Sequence, residues 1–336
     1  MKIAVDAMGG DYAPAEIVAG TVEAARKLSG VSKLYLVGDE EAIKAELAKY
    51  KNVPDSVEIR HCTQVVEMAE SPATAIRRKK DSSIVRAIEM VKKSEADAVF
   101  SAGNTGAAVA GAQLKLRTLK GVDRPAIATI LPTPTREFVL LDSGANTDST
   151  PEMLQQFAVM GSVYCREILN RENPKVGMLS IGEEDAKGND MTKKAFKLLN
   201  DSHLNFIGNI ESRDMFEGRV DVVSCDGFVG NVVLKTTESV ARMISTWLKV
   251  ELKQNLLRII GYLFARGGFK NLKRRADPEA YGGASLLGAN GVVIIGHGSS
   301  SARAVFNGIR YSAEAVSHDL NQLIEEELAK ISVEPQ

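Results

Sequence analysis

Cysteine, histidine and tryptophan are scarce in this chain. Its 336 residues include three, four and one of them, respectively. Cys62, Cys165 and Cys225 form no CxxC pair and share no zinc-like spacing with histidine. That excludes a disulfide-stapled scaffold and fits a reducing compartment. An excess of one charge is also missing. Net charge is -1, so nothing draws the whole molecule toward nucleic acid, which is not an expected partner. No stretch reaches the ~18 uninterrupted apolar residues of a spanning helix. The opening MKIAVDAMGGD meets Asp6 before a signal-peptide core can form. A cytoplasmic protein is expected. Apolar residues make up 44% and charged residues 25%, an ordinary globular balance that buries a core without staples.

Short β-branched runs alternate with amphipathic stretches. Strands are expected over residues 2–5, 33–37, 57–61, 96–100, 127–131, 138–141, 176–181, 206–210, 220–224 and 292–295. Helices are expected over 14–28, 40–49, 82–93 and, as one long element, 302–330. This alternation predicts an α/β fold with three layers, α/β/α, around a mostly parallel sheet. Residues 1–331 are read as a single large α/β domain. The alternative is two lobes around a cleft, joined by the proline-bearing segment 120–136. Residues 332–336 read as a tail.

Glycines cluster just after the expected strands. The turns are MGGD (8–11), SAGNTG (101–106), DSGAN (142–146), IGE (181–183), DGFVGN (226–231) and GHGSS (296–300). In open α/β sheets ligands bind beyond the carboxyl ends of strands, where glycine admits close backbone approach and a following helix offers free N–H groups. One such turn is commonly just a tight connection. Six, each with Asp, Asn, Ser, Thr or His, predict one anion-binding cleft.

These motifs, together with MGSVY (160–164), IGEEDAKGN (181–189), CDGFVGNVVLK (225–235) and YGGASLLG (281–288), resemble the acyl carrier protein:phosphate acyltransferase family of bacterial phospholipid synthesis. The resemblance extends to about residue 328. It implies transfer of a long-chain acyl group from acyl carrier protein to inorganic phosphate. It also implies a fold similar to isocitrate and isopropylmalate dehydrogenases and phosphotransacetylases, with no nicotinamide cofactor. Family members are homodimers at the inner face of the plasma membrane, beside the integral enzyme that acylates glycerol 3-phosphate.

A thioester is already activated, so the task is to bring an anion to a carbonyl and stabilise the oxyanion. No metal is required. Asn104, Thr105, Asn231 and neighbouring amides are expected phosphate donors, with Lys235 at i+4 from Asn231 on the same helix face. Lys187 and Asn189 offer further donors. Ser101, Gly9, Gly10, Gly103, Gly227 and Gly230 shape the turns, and Asp6, Asp142 and Asn146 are expected in the cleft or as turn formers. Asp226 either orients or deprotonates phosphate, or caps a helix; catalysis is favoured. His297 either donates to phosphate or protonates the departing thiolate, with Ser299 beside it as a ligand or helix cap. Cys225 permits a covalent route, although a small buried side chain at a strand end is the favoured reading.

An acidic carrier calls for a basic patch. One candidate is Arg77-Arg78-Lys79-Lys80. The other is residues 249–275, with eight basic residues against one acidic, a local charge of +7. Leu252, Leu256, Ile259, Ile260, Leu263 and Phe264 form a helical stripe there, near Arg266, Lys270, Lys273 and Arg274. This amphipathic segment suits an anionic membrane, the carrier or a dimer partner. Two further readings stand beside the main one: a phosphotransacetylase-like enzyme using acyl coenzyme A, and a non-catalytic carrier-binding scaffold. A dehydrogenase is disfavoured, because no GxGxxG with a ribose-binding acid follows the first strand.

Overall fold

The computed structural model describes residues 1–275 and 278–331, except that the side chains of Lys273, Arg275 and Pro278 lie outside the description, as does the expected tail. Among the described residues eleven strands form one sheet: β1 (Lys2–Asp6), β2 (Lys33–Gly38), β3 (Val57–His61), β4 (Ala98–Ser101), β5 (Ala126–Pro132), β6 (Glu137–Leu141), β7 (Val176–Leu179), β8 (Phe206–Ile210), β9 (Val222–Ser224), β10 (Ala284–Leu287) and β11 (Val292–Ile295). Their spatial order is β3-β2-β1-β4-β11-β10-β5-β6-β9-β7-β8. Pairing is parallel except at β11–β10, β10–β5 and β5–β6. The expected mostly parallel α/β architecture is thus present, with an antiparallel seam at its centre.

The strands read as apolar runs because both faces are covered. Helix Ala15–Lys27 packs on helix Ala302–Ser317 so closely that a Cβ on Gly20 would lie 2.5 Å from Val305 Cβ. Helix Ser83–Lys92 buries Ile84, Val85, Ile88 and Met90 on the opposite face, each contributing roughly 1.5–3 kcal/mol of apolar burial. In the other half, helix Pro151–Ile168 buries Leu154, Phe157 and Val163 over β6 and β9. The remaining face there is thinly covered by helix Ser212–Phe216 and by Val233 and Leu234 near the start of helix Gly227–Leu252.

Four expectations are corrected. Residues 120–136 are no linker, because β5 lies within them at the middle of the sheet. Strand β10 falls inside the YGGASLLG run, where glycines and the short LL pair hide it. The long final helix is two, Ala302–Ser317 and Leu320–Ile331, broken where Asp319 takes a left-handed φ of 49°. The amphipathic segment is also divided. Leu252 ends helix Gly227–Leu252, and a new helix spans Leu256–Arg275.

This helix pair projects from the globule. Only Gly227 and Gly230 of the first helix are buried. Val240, Ile244, Trp247, Leu256, Leu257, Leu263 and Phe264 are exposed, Phe264 at 89% and Leu257 at 82%. Arg258 reaches back to Glu251 at 2.6 Å, and the Tyr262 and Phe269 rings lie 5.3 Å apart. The apolar surface wraps around the second helix instead of forming one stripe. Among the described residues no helix is long and apolar enough to cross a membrane.

Candidate active site

Strand direction reverses three times between β4 and β6. The carboxyl ends of β1, β4 and β11 therefore lie at one edge of the sheet, and those of β6, β7 and β9 at the other. β4 and β9 are also five spacings apart, about 24 Å at roughly 4.8 Å each. The expected single cleft is corrected: within one chain, the six turns form two clusters.

At the first edge Asp6 is buried beneath the turn it ends. Its Oδ2 accepts a hydrogen bond from Ser101 Oγ at 2.6 Å, and Oδ1 accepts from the Met8 amide at 3.3 Å. Burial pushes its carboxyl above the ordinary value, against the pull of the Ser101 and Ser83 hydroxyls. A Cβ on Gly9 would stand 2.6 Å from Asp6 Oδ2 and 2.7 Å from the Gly103 amide, so only glycine lets the two turns meet. Gly10 lies beside Gly298, whose carbonyl accepts from the Asp11 amide at 2.7 Å. Asn104 caps helix Thr105–Gly111 through the Ala107 amide. Its Nδ2 donates to the carbonyls of Glu67, Met68 and Glu70. This side chain thus straps a loop down, while Thr105 beside it is exposed.

His297 is exposed at this edge. The Ser299 amide donates to its Nδ1 at 3.2 Å, and Ser299 Oγ lies 2.8 Å from the same atom. An amide can only donate, so the neutral ring carries its proton on Nε2 and presents a donor outward. Neither Ser299 nor Ser300 caps the following helix; Ser301 does, through the Ala304 amide.

At the second edge Asp142 organises the turn. Oδ1 accepts from the amides of Ile127, Gly144 and Ala145. Oδ2 accepts from the Asn146 amide and from Asn146 Nδ2. Burial still raises its carboxyl, in opposition to these donors. Asn146 Nδ2 also donates to the Pro125 carbonyl. Helix Gly227–Leu252 starts directly on this turn. A Cβ on Gly230 would sit 1.9 Å from the Asp142 carbonyl oxygen, and one on Gly227 2.2 Å from that of Asn146. Asp226 is the helix cap: Oδ1 accepts from the Phe228 amide at 2.8 Å and Oδ2 from the Ser149 amide at 3.1 Å. Asn231 is exposed beside Gly144, and the exposed Lys235 pairs with Glu238 at 3.1 Å.

The neighbouring turn after β7 carries Lys187, exposed, and Asn189, which caps helix Asp190–Asn200 through the Thr192 amide. Asn209 of β8 holds this turn by donating from Nδ2 to the Glu184 carbonyl at 2.9 Å. The sequence reading missed Asn209 and Ser149. A lone asparagine in the apolar run FIGNI was the available signal for the first.

Cys225 is buried, with Sγ 3.6 Å from the Asp142 carbonyl, and burial drives its thiol far up. It is a packing residue and no ready thiolate. The thiols of Cys62 and Cys165 are likewise pushed up to about 12 by burial. In the basic quartet, Lys79 is committed to Glu70 and to the Val65 carbonyl, leaving Arg77, Arg78 and Lys80 exposed. Among the described residues no group of His, Cys, Asp and Glu is placed to hold a metal ion.

The chain shares its α/β fold with phosphotransacetylases. It superposes on a phosphotransacetylase from Streptococcus pyogenes with a TM-score of 0.62 at 18% identity, over 94% of both chains. A branched-chain phosphotransacylase from Enterococcus faecalis gives 0.57 at 14% identity, over 94% of this chain and 99% of that one. At these identities the likeness shows the fold. Sequence goes further. Residues 1–323 match the family described as fatty acid synthesis protein. A phosphate acyltransferase of Geotalea daltonii is 50% identical over 328 residues, 98% of this chain and 94% of that protein. One from Thermoanaerobacterium thermosaccharolyticum is 48% identical over 331 residues, 98% of each. The chain belongs to the phosphate acyltransferase family and is an acyltransferase.

Proposed function

We propose that the protein moves a long-chain acyl group from acyl carrier protein to inorganic phosphate, supplying acyl phosphate for phospholipid synthesis. The carrying observation is the anchored start of helix Gly227–Leu252. Gly227 and Gly230 are locked onto the Asp142 turn, which fixes exposed Asn231 beside Gly144 with exposed Lys235 one turn on. In this reading Asn231, Lys235 and, from the next turn, Lys187 donate to phosphate oxygens. Asp226 holds the helix start that presents them. A phosphate oxygen attacks the thioester carbonyl, the carbon–sulfur bond breaks, and the thiolate leaves with a proton. The attacking hydrogen phosphate gives up that proton, and the Nε2–H of His297 from a second copy of the chain donates a hydrogen bond to the departing sulfur, since its own turn lies at the far edge. The reading therefore includes a homodimer.

The projecting helix pair serves the membrane side of the same reading. Leu256, Leu257, Leu263 and Phe264 enter the boundary of an anionic membrane, and Arg266, Lys270 and Arg274 meet its headgroups. Product would pass there to the integral glycerol-3-phosphate acyltransferase. Arg77 and Arg78 face the acidic carrier.

Thiol release from long-chain acyl carrier protein, with and without phosphate, tests the reaction. Phosphate-dependent release with hydroxylamine-trappable acyl phosphate is expected. Release without phosphate overturns it in favour of hydrolysis. Turnover with acyl coenzyme A alone makes the donor coenzyme A, and no release from either leaves a scaffold.

A further inference from the structure

The sheet ends at β3, whose outer side has no strand partner among the described residues. Beside it lies a cavity of about 360 Å³, none of whose lining residues belongs to the two turn clusters. Arg60 and His61 come from β3, Glu40 from the start of helix Glu40–Leu47, and Arg86, Glu89 and Lys93 from the face and end of helix Ser83–Lys92. Ile59 and Met90 also line it. The volume falls in the range of small-molecule sites, which run from roughly 300 to 1,000 Å³.

The charges around this cavity are unevenly committed. Glu40 is paired with Lys44, and Glu89 with Lys115, each at 2.8 Å. The cations are held more loosely. Arg60 stands 3.4 Å from Glu58 and stacks over the Tyr35 ring at 4.9 Å. Arg86 stands 3.5 Å from Asp81. Asp81 is already bound by the Thr63 amide and hydroxyl, which hold its carboxyl below the ordinary value. Each guanidinium has five N–H donors and a planar fork suited to phosphate. His61 adds one more donor: its Nδ1 accepts from the Glu40 amide at 3.2 Å, so the neutral ring is protonated at Nε2. The carboxylates of Glu40, Glu89 and Glu95 remain as rim acceptors for hydroxyl groups.

The geometry points to a second ligand site here, for a small hydroxylated phosphomonoester. The phosphate sits between Arg60, Arg86 and Lys93, and the hydroxyls face the carboxylate rim. This site is independent of the acyl-transfer reading, because none of its residues lies in the glycine turns.

Isothermal titration of the full-length protein with glycerol 3-phosphate and with ribose 5-phosphate tests it, with glycerol and inorganic phosphate as comparators. Saturable binding of at least one ester is expected, tighter than either comparator. The Arg60→Ala/Arg86→Ala double variant should weaken it by roughly tenfold or more, the scale of lost charge-assisted hydrogen bonds. Lys93→Glu, an exposed change, should weaken it similarly should the double variant misfold. Lys235→Ala should leave ester binding intact. Absence of saturable heat with both esters, undiminished binding in the folded cavity variants, or loss of ester binding in Lys235→Ala overturns the site. Equal affinity for inorganic phosphate overturns the hydroxyl specificity.

Discussion

Asp6 and Asp142 both end central strands, both are buried, and both have carboxyls raised by burial. They are held by different means. Asp142 accepts from five N–H groups, four of them backbone amides within one turn and its neighbouring strand. Its carboxylate replaces the backbone pairing that the chain gives up where β6 ends. Asp6 is held by the hydroxyls of Ser101, on another strand, and Ser83, and by the amides of Met8 and Gly9 in its own turn. Asp142 builds a platform for a helix. Asp6 ties two turns together.

Asp142→Ala should cost about 4–5 kcal/mol, because several buried amides lose their acceptor together. Chemical denaturation measures this, and a loss near 1 kcal/mol would reduce Asp142 to an ordinary turn residue. Gly230→Ala should follow at about 3 kcal/mol, as its Cβ is driven into the Asp142 carbonyl. Acyl transfer should fall with it even at temperatures where the variant stays folded. At the first edge, Ser101→Ala should cost less, about 1–2 kcal/mol for one buried hydrogen bond to a carboxyl. Asp226→Ala should cost about 1 kcal/mol as a lost cap. A much larger drop in turnover than in stability would show that Asp226 also touches substrate.

The pH dependence sharpens the contrast further. A raised folded pKa means that the native state favours the protonated acid. The stability from Asp6 is therefore full below its ordinary 3.8 and lost as pH rises through the raised folded value. Asp6→Asn mimics the neutral form, so its melting temperature should gain on the wild type as pH rises above 3.8. A difference that stays flat with pH would place the charge on Asp6 in a well-compensated setting. The smallest effect on stability is expected at the projecting helices. Leu256→Glu/Leu263→Glu should leave melting unchanged, since both side chains are already exposed. The same change should abolish sedimentation with anionic vesicles; undiminished binding would remove the membrane role.

Much of this molecule is legible in one dimension. Alternating apolar runs and amphipathic stretches gave ten of the eleven strands, because a doubly covered sheet demands continuous apolar segments. The missed strand, β10, is four residues long and bounded by glycines that turn left-handed at Gly282 and Gly288. The turns were found by their glycines, but their purpose was harder to read. Asn104, Asn189 and Asp226 carry the signature of a ligand-binding turn and also cap helices. Both jobs require a short polar side chain at the first free amides of a helix.

The sequence by itself determined the α/β class, the covered parallel sheet, the glycine turns, the buried thiol at Cys225 and the family. Each follows from local pattern or from residue identity at fixed spacing. Tertiary structure alone decided that β10 and β5 reverse the sheet and send the turns to two edges. It also decided that the basic apolar segment stands off the globule, and that Arg60 and Arg86 meet across a cavity at β3. Strand direction and neighbour order depend on pairings between segments far apart in the chain, such as Ser285 with Ala128 and Val292 with Ala98, and no local periodicity encodes those.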